Sequence, residues 1–259
     1  MNARLALLLA APIALALGWT APAEAVAKST STTLHYEVRA RDSRVGRATV
    51  TLGPKEKRDG VLVRAVRIEG RPEDLAGVLL AGRTVATTWV DADWMPVAAE
   101  WTSKHAGRHS ETTAKYLPDR LSATCLRAGK EPLVFDEPLT QRTHDVVSLV
   151  PWLMARKLQP GEQLSAPIFT GADLCNVQAV AGPVEHVQVP MGARDAVPVT
   201  VTFNKCLTKR GFTVWLDGKD GTPHRMMSKD PLLGQVEILL LGSGKLPPAD
   251  KPKPGKGRP

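Results

Sequence analysis

The feature that most constrains this chain is an alternation of apolar and polar side chains that recurs from residue 34 almost to the end. In the first such segment, Leu34, Tyr36, Val38 and Ala40 alternate with polar residues. A period of two is typical of a β-strand that buries one face. Gly, Pro and Asp residues separate the segments. The connections are too short for crossover helices, which predicts an antiparallel meander.

The predicted strands form two runs with a helical interruption between them. The first run comprises residues 34–40, 45–52, 61–68, 84–90, 97–104, 108–116 and 121–126. The second run comprises residues 164–169, 176–181, 184–189, 197–207, 212–216, 224–228 and 234–241. A sheet of about a dozen strands must curl, close or split in order to hide its edges. We therefore expect a mainly β fold with a single curled antiparallel sheet or an incomplete β barrel.

Two segments break the alternation and predict helices. Over residues 143–158 apolar side chains recur at helical spacing, with Thr143 as the expected N-cap and basic residues at the end. Pro151 falls within this segment, so we expect either a kink or a late start. Residues 72–81 open with Pro and two acids, which predicts a second, short helix. The longer helix would plug the mouth of the barrel.

The first 25 residues have the pattern of a cleavable secretory signal. Arg4 precedes an apolar run over residues 5–17, and an Ala-x-Ala pattern ends at Ala25. The run is short for a membrane span, although an uncleaved anchor is the alternative interpretation. We expect a periplasmic or secreted mature chain without a transmembrane anchor, which folds as one domain over residues 26–246.

The chain is basic, with a formal net charge of +8, but the excess is unevenly placed. Residues 247–259 combine Lys and Arg with Pro and Gly, a composition that predicts a disordered tail. We interpret this tail either as a solvated terminus or as a weak electrostatic contact to anionic lipids or cell-wall polymers. The charges elsewhere are modest and mixed in sign, so we expect no nucleic-acid partner.

Three cysteines in an exported protein predict one disulfide and one remaining thiol. Any of the three pairings is possible from the sequence. Cys175 and Cys206 lie in neighbouring predicted strands, so we predict that these two pair, provided that the register brings their Cα atoms about 5.5 Å apart. A reactive Cys125 is the alternative, but no histidine follows it at short range.

Two pairs of residues that include histidine suggest chemistry, but neither completes a metal or catalytic site. His105 and His109 flank a predicted turn, and the register of this turn directs them to opposite faces of the sheet. Zinc needs at least three convergent ligands. We therefore expect no metal site. His144 and Asp145 precede Ser148, but adjacent residues rarely face each other and no G-x-S-x-G turn is present. We interpret them as a surface histidine beside an acid at the start of a helix.

Several short motifs occur in an order that is found in a known bacterial family. They are Leu34-x-Tyr36, Val45-Gly46, Val90-Asp91, Trp94-Met95-Pro96, Asp145-x-x-Ser148-Leu149, Pro160-Gly161-Glu162, Val184-Glu185, Pro190-x-Gly192, Val214-Trp215-Leu216 and Gly234. Together they resemble the family known as domain of unknown function 3108. The resemblance implies an exported β protein, similar to the lipoprotein-carrier folds of the periplasm, and implies no activity. Pro151 and the basic tail depart from the family pattern.

The sequence leaves three hypotheses for function. No phosphate loop, catalytic carboxylate pair or cofactor motif occurs in it, so we expect no cofactor and favour a non-enzymatic role. Five tryptophans are candidates for lining an apolar cavity, with plain core positions as the alternative; they are Trp89, Trp94, Trp101, Trp152 and Trp215. The leading hypothesis is an envelope protein that binds a lipid or other apolar ligand, or a protein partner, in a half-closed barrel. An assembly factor that contacts envelope proteins through a sheet edge is the second, and an unrecognised hydrolase is the third.

Overall fold

The computed structural model describes residues 31–73, 83–105, 108–204, 211–230 and 234–244. The strands before the helix are β1 (Thr32–Ala40), β2 (Ser43–Arg58), β3 (Val61–Pro72), β4 (Arg83–Val90), β5 (Pro96–His105), β6 (Arg108–Tyr116), β7 (Arg120–Arg127), β8 (Leu133–Pro138) and β9 (His144–Asp145). Helix α1 spans Leu149–Arg156. The strands after it are β10 (Gln163–Phe169), β11 (Leu174–Ala181), β12 (Glu185–Val189), β13 (Gly192–Asn204), β14 (Gly211–Asp217), β15 (Pro223–Asp230) and β16 (Gly234–Ser243).

The described strands all belong to one open sheet, in which most pairs are neighbours along the chain. Strand β1 also pairs with β16, so the first and last described strands meet in the middle of the sheet. The sheet runs from β8 through β1 and β16 to β10 and β9, with β12 attached to β13. Among the described strands, β9 and β10 pair in parallel and the other pairs are antiparallel. The predicted mainly β fold is confirmed, with this short parallel pair as the exception.

Helix α1 lies against the inner face of the C-terminal half of the sheet. One apolar cluster joins Val199 of β13 and Val214 of β14 to the helix. The helix contributes Leu149, Trp152 and Leu153, which are at most 6% exposed. Burying side chains of this size is worth about 1.5–3 kcal/mol each. This burial, more than the propensity of so short a helix, holds α1 in place.

Helix α1 is shorter than predicted and begins later. It starts at Leu149 with Ser148 at the N-cap, so the prediction of Thr143 as the N-cap is wrong. The residues before it enter β9, because they pair with the end of β10 instead of continuing the helix. The late start places Pro151 in the first turn, where its missing N–H costs no intrahelical hydrogen bond.

Two further elements of the structure differ from what the sequence pattern predicted. Strand β8 was not predicted, because nearly all its side chains are exposed and it therefore lacks a clean alternation. The short helix predicted over residues 72–81 cannot include Pro72, which is the last residue of β3. Residues 74–81 lie outside the described residues.

The seam of the barrel is closed by side chains instead of backbone hydrogen bonds. The edge strands β8 and β9 do not pair with each other. Phe169 of β10 contacts Phe135 of β8 edge to face, with ring centroids 5.1 Å apart. The same ring stacks on Trp101 of β5 at 6.0 Å. The fold is therefore an incomplete barrel, with α1 and aromatic side chains filling its hollow side.

Candidate functional site

A fully buried carboxylate lies inside the curl of the sheet, on β9. Asp145 Oδ1 accepts hydrogen bonds from the backbone N–H groups of Val147 at 2.9 Å and Ser148 at 2.6 Å. Its Oδ2 accepts hydrogen bonds from the hydroxyls of Thr88 at 2.8 Å and Tyr116 at 3.5 Å. These four donors replace the water that the carboxylate loses on burial. They also join β4 and β6 to the segment that enters α1.

Burial changes the acid–base properties of this cluster. Desolvation raises the pKa of Asp145, and hydrogen bonds from Ser148, Thr88 and Val147 offset that rise only in part. Desolvation also raises the pKa of Tyr116 well above its usual value, and the nearby carboxylate of Asp145 adds to the effect. The Tyr116 hydroxyl therefore keeps its proton and remains a hydrogen-bond donor.

His144 is buried, so the expectation of a surface histidine is wrong. Its ring lies on Trp152 with ring centroids 4.5 Å apart, and its Nδ1 is 3.4 Å from the hydroxyl of Ser148. Desolvation, followed by the positive charges of Arg142 and Arg156, lowers the pKa of His144 to about 4. The imidazole is therefore neutral at neutral pH.

The contact between His144 and Ser148 does not form an open catalytic site. Ser148 is 0% exposed, and its Oγ already accepts a hydrogen bond of 3.0 Å from the backbone N–H of Asp145. The carboxylate of Asp145 faces Thr88 and not the imidazole. The hydroxyl is thus closed to a substrate from solvent, and the cluster positions the start of α1.

A cavity of about 220 Å³ opens at the end of the barrel where β5 turns into β6. Its wall includes the indole of Trp101 and the thiol of Cys125, and the turn at Gly171 closes the opposite side. The Cys125 thiol donates a hydrogen bond of 2.7 Å to the Gly171 carbonyl, which bridges the seam. Most other lining residues carry hydroxyl groups; they are Thr84, Thr102, Ser103, Ser110, Thr112 and Thr170.

Three of the five candidate tryptophans lie on the inner side of the sheet. Trp101 lines the cavity. Trp152 is buried in the helix cluster, and Trp94 packs against both that cluster and the one around Val66. These three positions connect the cavity wall with the plug.

The other two tryptophans lie on the outer face. Trp89 alternates with the inward-facing residues of β4. Its indole N–H donates a hydrogen bond to Glu56 at 3.1 Å, and the guanidinium of Arg58 lies 3.8 Å from the centroid of its ring. Trp215 is covered by β12 and donates its indole N–H to Glu185 at 2.6 Å. The structure therefore does not bring all five tryptophans into one cavity.

The histidine and cysteine predictions have mixed outcomes. His109 pairs with Lys104 in the β5–β6 register, whereas the side chain of His105 lies outside the described part. No group of three metal-ligating side chains occurs among the described residues. Cys125 is a free thiol and Cys175 is disulfide-bonded. Cys206 lies outside the described residues, so its pairing with Cys175 stays a prediction.

The family assignment follows from a comparison along the whole sheet. The model of the DUF3108 family, described as a protein of unknown function, matches residues 35–241. The chain belongs to this family. The match confirms the resemblance carried by the sequence motifs. A comparison with curated proteins gives no match for this DUF3108 protein.

Solved structures extend the comparison to the fold. A β-barrel-like protein of domain of unknown function DUF1849 from Brucella abortus has a TM-score of 0.52 and 13% identity, covering 83% of this chain and 98% of its own. A Bacteroides fragilis protein with a YmcC-like fold has a TM-score of 0.33 and 10% identity, covering 83% and 95%. The first of these shows a shared β-barrel-like fold. In the described part of this DUF3108 protein, no helix has the length and apolar character needed to cross a bilayer.

Proposed function

We propose that this DUF3108 protein is a non-enzymatic, exported envelope protein that binds a small ligand with an apolar part in the cavity beside Trp101. The observation that supports this proposal is the cavity itself, which opens at one end of a barrel that is otherwise filled by α1 and aromatic rings. The opening leaves part of the Trp101 indole facing solvent, and covering this apolar surface with the apolar part of a ligand would be favourable.

The lining of the cavity defines the class of ligand. The Trp101 indole offers a flat apolar surface, while the surrounding hydroxyls offer hydrogen bonds. A volume of about 220 Å³ is smaller than the roughly 300–1,000 Å³ of pockets for drug-sized molecules. The ligand would therefore be a short amphiphile, or one end of a longer lipid whose remainder lies outside.

The test of this proposal fills the cavity and measures binding of a defined probe. A fluorescent anilinonaphthalene sulfonate is titrated into the wild-type protein and into Thr112→Phe, which places a ring in the cavity. The control is Thr113→Phe, because the next residue along β6 faces outward. We expect saturable binding that Thr112→Phe weakens at least about tenfold and Thr113→Phe leaves unchanged. Absence of saturable binding to the folded wild type would reject the proposal.

Export is supported by the signal pattern of residues 1–25. The observation that tests it is the amino terminus of the protein recovered from fractionated cells. An N-terminus near Val26 in the soluble envelope fraction is the expected result. Full-length chain in the cytoplasm or in the membrane pellet would contradict it.

The open edge of the sheet favours a second candidate function, in assembly. Strand β8 pairs with β7 on one side only, and its Leu133 and Val134 are 39% and 66% exposed. An exposed edge strand is a template for an extended segment of another protein. In this hypothesis Val134→Lys would abolish crosslinking to an envelope partner without changing probe binding in the cavity. Equal crosslinking by wild type and variant would argue against it.

A further inference from the structure

The hairpin formed by β2 and β3 extends beyond its neighbours on both sides. Leu52 is the last residue of β2 that pairs with β1 in the described chain. Arg64 is the first residue of β3 that pairs with β4. Residues 53–63, defined here as the arm, therefore extend beyond the pairing of β2 with β1 and of β3 with β4, and at the tip Lys57 and Arg58 pair only with Leu62 and Val61. Val63, at the base of the arm, is buried, so the exposed part is the tip.

The tip of the arm exposes two large apolar side chains. Val61 is 42% and Leu62 is 51% exposed. In the register of the hairpin they lie directly opposite Arg58 and Lys57 respectively, so each apolar side chain is beside a cation. Successive residues of a strand face opposite ways. The tip is therefore apolar on both of its faces, which a soluble hairpin does not require.

The cations of the arm are only partly neutralised within the described residues. Glu56 accepts the indole N–H of Trp89, and Arg58 lies over that ring. These contacts fix the arm against the outer face of β4. Lys55 and Lys57 are exposed, and no described residue makes an ion pair with them. Their ammonium groups are available to anions in solution.

Another exposed apolar side chain lies at the same end of the barrel as the arm. In an antiparallel meander, alternate connections leave from the same end of the sheet. The β2–β3 and β6–β7 connections therefore leave from the same end of the sheet, and the latter carries Leu117, which is 50% exposed. The end of the barrel that carries the arm thus has an exposed apolar side chain on another turn as well.

We propose that the arm is a membrane-surface anchor that inserts Val61 and Leu62 into the interfacial region of an anionic bilayer. Lys55 and Lys57 contact the lipid phosphates, with their aliphatic stems lying along the apolar tip. Exposed apolar side chains that are bordered by Lys and Arg bind such surfaces through both burial and charge. The arm lies at the opposite end of the barrel from the Trp101 cavity, so the proposed membrane contact does not depend on ligand binding in that cavity.

The experiment measures co-sedimentation of the purified full chain with phosphatidylcholine vesicles, with and without phosphatidylglycerol. We expect binding to the anionic vesicles that weakens with salt. Val61→Ser with Leu62→Ser should reduce it about tenfold, and Lys55→Gln with Lys57→Gln should also reduce it about tenfold. The control, Leu133→Ser with Val134→Ser, removes side chains of β8 that are 39% and 66% exposed and should leave vesicle binding unchanged.

Three outcomes would overturn the proposal. The first is an absence of binding by the folded wild type, and the second is equal binding to zwitterionic and anionic vesicles. The third is an arm variant that binds vesicles like wild type but changes the mass found by sedimentation equilibrium. That result would make the arm a contact between copies of this chain. Repeating each measurement on a chain that ends at residue 246 separates the arm from the basic tail, because the arm substitutions should act equally in both backgrounds.

Discussion

The hydroxyl of Thr88 donates a hydrogen bond of 2.8 Å to the buried carboxylate of Asp145. Thr88 belongs to β4, in the middle of the N-terminal half of the sheet, whereas Asp145 belongs to the edge strand β9. No backbone pairing joins β9 to β8. This hydrogen bond therefore ties the free edge to the inside of the barrel, and the same carboxylate holds the N–H groups that lead into α1.

Replacing Asp145 with Ala is expected to cost about 3–5 kcal/mol of unfolding free energy, because buried donors are left without an acceptor. Chemical denaturation at neutral pH measures the change. The matched control is Asp136→Ala, which removes an exposed ion pair with Arg120 at 2.9 Å and should cost at most about 1 kcal/mol. Equal losses in the two variants would show that the buried carboxylate has no special role.

Acidification should destabilise the protein through His144. Its pKa in the folded state is lowered from 6.5 to about 4, so the unfolded state binds more protons between those two values. The stability that His144 contributes is present above pH 6.5 and is lost as the pH falls toward 4, by up to about 3 kcal/mol. Asp145 acts in the opposite direction, because its folded pKa is raised.

The His144 contribution is isolated by a difference between variants. Denaturation curves are recorded from pH 7 to pH 4 for the wild type, for His144→Gln and for His186→Gln, whose side chain is largely exposed. In the His144 variant, the part of the fall in unfolding free energy with pH that His144 causes should be absent. The His186 variant should keep it. Identical slopes in all three proteins would contradict the prediction.

The turn at Gly171 should be sensitive to a single methyl group. Its φ is +81°, and a Cβ there would lie 2.7 Å from the Trp101 ring. Gly171→Ala should therefore cost about 2–3 kcal/mol, from backbone strain and displacement of the indole. Gly129→Ala has a similar φ of +72° and nothing within 4 Å, so it should cost only the backbone part, about 1 kcal/mol. Thermal unfolding compares the two, and probe binding should weaken only in Gly171→Ala.

Local patterns predicted most of the sheet, because a strand that buries one face has a period of two in its sequence. The pairing of β1 with β16 was not predicted, since it joins segments about two hundred residues apart and no local signal encodes such a contact. The alternation also could not identify β8, whose position at the edge leaves both faces largely exposed.

The candidate site was less predictable than the sheet. Asp145 was placed at a helix start by its sequence position, but its burial depends on Thr88 and Tyr116, which are far away in the sequence. A signal did exist, because Thr88 occupies an inward position between the apolar Ala86 and Val90. A hydroxyl at such a position requires a buried partner. Which partner it finds depends on the curl of the sheet.

The two kinds of cysteine in this protein should differ in their reaction with iodoacetamide. Cys125 is 2% exposed, and its thiol donates to the Gly171 carbonyl. The native protein should therefore be alkylated at Cys125 only slowly, at a rate limited by opening of the seam, whereas denaturant should make the reaction fast. Gly171→Ala disturbs this turn and should accelerate alkylation in the native state.

The same digest tests the predicted disulfide. Without reduction, mass spectrometry should find the peptides that contain Cys175 and Cys206 joined to each other, with the alkylated Cys125 in a separate peptide. A covalent link between Cys125 and either of the others would contradict both the pairing and the burial of the thiol. It would require β7, which carries Cys125 against Thr112 of β6, to leave its place in the cavity wall.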